Sequence, residues 1–161
     1  MNSGKLEGEH FLHNDMWGVA TDHRRGEHQY DHLVAMVFAF HALEGYLSYV
    51  GEKVITDHKE LARFRNFGPP RKLSYLRNEC CLPALDAGPG TTIGTLKEFR
   101  DLVAHPQPRP ITSADNAAPY WSEFVTPAKA EASLQEVKEI AEALYSYCVI
   151  KSLPDSTCVC Q

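Results

Sequence analysis

At 161 residues, 43 % of them apolar and with ten glycines and ten prolines, the chain can bury a core of its own and is not disordered throughout. A net charge of −5 argues against a simple nucleic-acid coat, and no uninterrupted run of 18 apolar residues marks a membrane span. The opening MNSGKLEGEHFLHND lacks the apolar centre of a signal peptide, so a cytoplasmic protein is expected.

The charge is unevenly spread. Residues 1–58 hold four Lys/Arg against nine Asp/Glu, residues 59–109 nine against five, and residues 110–161 three against seven. Only the middle third is basic, most densely at Lys59, Arg63, Arg65, Arg71, Lys72 and Arg77. Such a local field can draw a phosphate chain to an acidic protein, or it is a solvated helix face that balances acidic neighbours. Cys80, Cys81, Cys148, Cys158 and Cys160 match no zinc-ligand spacing and read as reduced thiols.

In chain order, residues 1–28 are polar and without a sustained period, an N-terminal arm with at most a short helix. Its His10, His13, His23 and His28 form no His-x3-His pair and gain no cysteine, so solvated or capping roles are expected and no metal. Residues 29–55 form a long helix with Leu33, Met36, Val37, Phe40, Leu43, Leu47 and Val50 as its apolar stripe. Glu44 falls within that stripe, where a carboxylate is costly unless it meets a donor. It is either an ordinary buried or edge-of-stripe acid, or a site residue facing Arg100. His41, three positions earlier, resembles half of a carboxylate-bridged metal site, but the second Glu-x-x-His that such bundles need is absent.

Residues 57–67 read as a second helix ended by Gly68-Pro69-Pro70, and 71–83 as a third with Leu73, Leu76 and Cys80 inward and Arg77 beside them. Residues 84–95 form a loop with Gly88, Gly90 and Gly94. No Gly-Lys-Ser/Thr follows and no strand precedes, which excludes a P-loop and a dinucleotide fingerprint.

The segment Leu96 to His105, LKEFRDLVAH, carries the chemistry. Leu96, Phe99 and Val103 recur at helical spacing, and Pro106 disfavours helix at His105. Thr95-x-x-Glu98 fits a capping box, unless Gly94 lies inside the helix and Thr91 or Thr92 caps it. Asp101 and His105 are four apart and share a face, with Arg100 beside them. From Pro106 to Val125 four prolines and no period describe a long connection that drapes over the site or a partner, anchored by Tyr120, Trp121 and Phe124. Thr126-Pro127 then starts a last helix to about Leu153, with Leu134, Val137, Ala141, Leu144 and Cys148 inward, and a tail follows from Pro154. The expected fold is all-α: an up-and-down bundle of four to five helices over 29–153, with a polar N-terminal arm and a long Pro-rich loop.

A long early helix, a Lys/Arg-bearing middle helix, a Gly/Pro loop and then FRDLVAH resemble the HEPN superfamily of helical bundles. The motif that carries the resemblance is Arg-x4-6-His, matched by Arg100 and His105. The position after the arginine is often asparagine in that family, and here it is Asp101. The resemblance implies a metal-independent endoribonuclease with no cofactor, its motif meeting a second copy across a homodimer groove. Arg100, His105 and Asp101 are then the catalytic candidates, and Lys72, Arg77 and Glu44 the substrate-binding ones. RNA is the expected partner, together with a cognate antitoxin or regulatory protein if the chain is a toxin or defence effector. The same resemblance covers members that bind nucleotides or proteins without cleaving anything. In that case Arg100 pairs with Glu44 to close the core and His105 caps carbonyls.

Overall fold

The computed structural model describes residues 12–79, 94, 96, 97, 99–101, 104 and 125–151. Among them there is no strand, and the protein is an all-α helical bundle. The helices are α1 (Leu12–His23), α2 (Gln29–Val54), α3 (His58–Arg65), α4 (Pro69–Glu79), the helical residues between 94 and 104, here α5, and α6 (Pro127–Lys151).

The bundle is built around α2, which packs against α1, α3, α4 and α6. Met36, Phe40, Leu43, Leu47 and Val50 are buried as the apolar stripe requires, while Leu33 and Val37 stand half-buried at its edge. Ala35, Ala39 and Ala42 are fully buried as well, so α2 is enclosed on more sides than one stripe covers. Its segment Tyr30–Val54 is long and apolar enough to cross a membrane, with mean hydropathy 1.5 in its most apolar window, 44 % of it buried in the bundle. A helix at the centre of a bundle has the same composition, because it is apolar nearly all round.

The polar N-terminal segment does more than an arm would. Residues 12–23 form α1, which folds back antiparallel on α2. His13 stacks on Tyr46 with ring centres 4.4 Å apart, and the Tyr46 hydroxyl donates to Asn14 Oδ1 at 2.9 Å. At the opposite end His23 Nδ1 lies 3.0 Å from Asp31 Oδ1. Gly45 allows this close approach: a Cβ there would sit 2.5 Å from the His13 Cβ. The helix escapes sequence periodicity because only Ala20 is fully buried, with Trp17 packed at the edge of the core and polar contacts at both ends of the pair.

Short-range signals set the other helices. Asp57 caps α3, its Oδ1 accepting from the Glu60 N–H at 2.8 Å. Phe64 of α3 is 1 % exposed and packs its ring against the bare backbone of Gly51. The prolines expected to end α3 instead open α4: Pro69 is its first residue, where a fixed φ and a missing N–H do no harm. Gly94 is helical, and the candidate caps Thr91, Thr92 and Thr95 lie outside the described residues. Thr126 caps α6, its Oγ1 accepting from the Lys129 N–H at 3.2 Å. On α6, Leu134, Val137 and Leu144 are buried as expected, but Ile140 takes the core place expected of Ala141, which is half-buried. The larger side chain fills the space.

Candidate functional site

Four of the expected site residues, Glu44, Arg100, Asp101 and Lys72, come together along one face of α2. On α5, Leu96 and Phe99 are 1 % and 4 % exposed and seat the helix in the core. Arg100 follows Leu96 by four positions and is therefore carried on the same side, toward α2. Its Nη2 lies 3.5 Å from Glu44 Oε1, and its guanidinium carbon stands 5.3 Å from the centre of the buried Phe40 ring. Glu44 thus faces Arg100. The cation offsets the cost of a carboxylate among apolar neighbours.

Glu44 has a second partner, since its Oε2 lies 3.3 Å from His41 Nδ1. Asp101 is likewise shared: Oδ1 is 3.0 Å from Arg100 Nη1 and Oδ2 is 2.7 Å from Lys97 Nζ. The cluster runs His41, Glu44, Arg100, Asp101, Lys97. The Arg100 side chain is 26 % exposed, and its Nε is enclosed with no hydrogen-bond partner among the described residues. The arginine is held by both ends of its fork and still reaches the surface. Two carboxylates and two cations nearly balance, with one imidazole in addition.

Lys72 extends the same face by one turn. Its Nζ donates to Ser48 Oγ at 2.9 Å, and Ser48 Oγ donates to the Glu44 carbonyl at 2.8 Å. Arg77 is not brought to the cluster. It lies five positions beyond Lys72, about 140° round an ideal helix, and has no ion-pair partner among the described residues. His105 lies outside the described residues, as do the Pro-rich connection and its aromatic anchors.

Lys97 and Phe40 were not singled out from the sequence. The Lys97-x3-Asp101 spacing is a legible helical ion pair, so that signal was available. Phe40 reads only as a core residue. The described histidines are dispersed, His13 onto tyrosines, His23 onto Asp31 and His41 onto Glu44, and among the described residues no three metal-ligating side chains gather.

Chemically, the face offers a constrained guanidinium for an anion, an imidazole held by a carboxylate, and a nearby ammonium. Compared with protein families, with curated proteins and with solved structures, the chain finds no match in any of the three.

Proposed function

We propose that the protein is a metal-independent endoribonuclease of HEPN type, acting in the cytoplasm as a homodimer in the manner of a toxin or defence effector. The observation that supports this is the setting of Arg100. It is a guanidinium pinned by Glu44 and Asp101, underlain by Phe40 and still a quarter exposed, five positions before His105. An arginine that is always charged and already oriented loses little on gripping phosphate oxygens. In the reaction the ribose 2′-oxygen attacks phosphorus and the 5′-oxygen leaves. A base takes the 2′-hydroxyl proton and an acid returns one to the leaving oxygen. Imidazole suits both tasks near neutral pH, and His105 from each protomer supplies one group for each proton. The products are a 2′,3′-cyclic phosphate and a 5′-hydroxyl.

The test is RNA cleavage by the purified protein in EDTA, with His105→Ala beside the wild type. Cleavage that stops in the variant while its circular dichroism and melting temperature hold supports the reading. A variant that cuts at the wild-type rate removes His105 from the mechanism.

A second reading is favoured by the charge balance around Arg100. Two carboxylates on one guanidinium, one of them also paired to Lys97, is a combination that closes a helix interface. On that reading the chain is a non-catalytic HEPN-like module that binds a nucleotide or a protein. It predicts no cleavage under any condition.

A further inference from the structure

Away from Arg100, between α3 and α4, lies a cavity of about 290 Å³. Arg63, Phe67, Arg71, Ser74 and Tyr75 line it, with Asn78, and Glu60 is the one carboxylate among its lining residues. Its volume is at the lower edge of small-molecule sites, which run from roughly 300 to 1,000 Å³. That space suits one nucleotide-sized ligand.

Its chemistry is that of two cations on an aromatic wall. The Arg71 guanidinium carbon stands 4.1 Å from the centre of the Phe67 ring, and that of Arg63 stands 6.0 Å from it. Tyr75 continues the wall, its ring centre 6.1 Å from that of Phe67. A guanidinium laid against a ring keeps its N–H edge free for hydrogen bonds. Neither arginine has an ion-pair partner among the described residues, whereas Arg65, two positions from Arg63, is taken by Glu52 at 3.0 Å. Two like charges on one ring repel, and an anion between them relieves that repulsion. Ser74 and Asn78, four apart on α4, add a hydroxyl and an amide that donate and accept. The cavity therefore sets a phosphate grip beside a stacking surface, the pairing used for single nucleotides and single strands.

We propose that this cavity binds a nucleoside phosphate, with the phosphate on Arg63 and Arg71 and the base against the wall of Arg71, Phe67 and Tyr75. The ligand is a free nucleotide or one residue of a single-stranded RNA, which present the same groups. The site goes beyond the cleavage chemistry assigned to Arg100 and stands without it.

The experiment is calorimetric titration of the full-length protein with AMP, adenosine and a 5′-phosphorylated oligoadenylate hexamer. Binding of AMP or the hexamer about tenfold or more tighter than adenosine is expected, with a loss of about tenfold in Arg63→Gln and in Arg71→Gln. Arg65→Gln, outside the cavity, should bind as the wild type does. Arg63 stands farther from the ring than Arg71, so Arg63→Gln keeps the test valid if Arg71→Gln perturbs the fold. AMP binding as tightly as the hexamer identifies a free nucleotide; a hexamer about tenfold tighter than AMP identifies a strand residue. Failure of both ligands to bind, or binding unchanged in both variants, overturns the proposal. Cleavage assays on His105→Ala report on the other site separately.

Discussion

Glu44 and Arg100, 56 positions apart in the sequence, meet at 3.5 Å above the ring of Phe40. That distance is at the outer limit of a hydrogen bond, so the attraction is mainly between charges. Both side chains are between a quarter and a third exposed, which places the pair between a screened surface bridge and a buried one.

A double-mutant cycle with Glu44→Gln and Arg100→Gln reads that attraction. A coupling of about 0.5–1.5 kcal/mol in urea unfolding is expected. Strict additivity of the two single changes would show that the pair contributes nothing to stability. If the ribonuclease reading holds, Arg100→Gln also abolishes cleavage at a temperature where the variant remains folded.

The glycines of the bundle separate by sign. Gly51→Ala pushes a methyl group into the Phe64 ring, and Gly45→Ala pushes one against His13 Cβ. Each should destabilise by about 1–3 kcal/mol, since neither neighbour can move without shifting a helix. Gly18 in α1 has no atom within 4 Å of an added Cβ, so Gly18→Ala should stabilise by roughly 0.5–1 kcal/mol. Urea denaturation of the three variants checks the order, and a destabilised Gly18→Ala would contradict the packing of α1.

Acid should loosen α1 from α2 in two steps. Burial against Tyr46 and Tyr49 lowers the pKa of His13. The folded protein then holds the proton less well than the unfolded chain. Stability is therefore full above the usual histidine value of about 6.5 and declines as pH falls through the lowered one. The hydrogen bond from His23, then that from the His28 backbone, holds the Asp31 carboxyl below its ordinary range. Its contribution is present above about pH 3.9 and is lost below it. Melting temperatures from pH 8 to pH 3 test both. His13→Leu should flatten the upper step, and the gap between Asp31→Asn and wild type should close at the acid end.

Thr126→Ala should cost about 1 kcal/mol, since it frees the Lys129 N–H at the start of α6, while Thr126→Ser should cost little. Thermal melting of the two variants distinguishes a cap from simple loss of a methyl group.

What the chain reveals by reading alone is local. The stripe of α2, the Thr126 cap and the inward Leu96 and Phe99 all follow from interactions within one or two turns. Such interactions act before any helix meets another. The failures share the opposite cause. Helix α1 shows little amphipathic pattern because α2 supplies the partners for its polar groups. Pro69 and Pro70 read equally well as a stop or a start until the neighbouring helix has a direction. Glu44 is the contrasting case: as an acid in an apolar stripe it stands out in the sequence with Arg100 as a candidate partner, and whether the two meet was decided by how α5 lies across α2. The same packing decided that Lys72 joins that face and Arg77 does not. Pairings across dozens of residues are chosen by helix packing, where direction and rotation are settled jointly by every contact, and no short window of sequence contains that information.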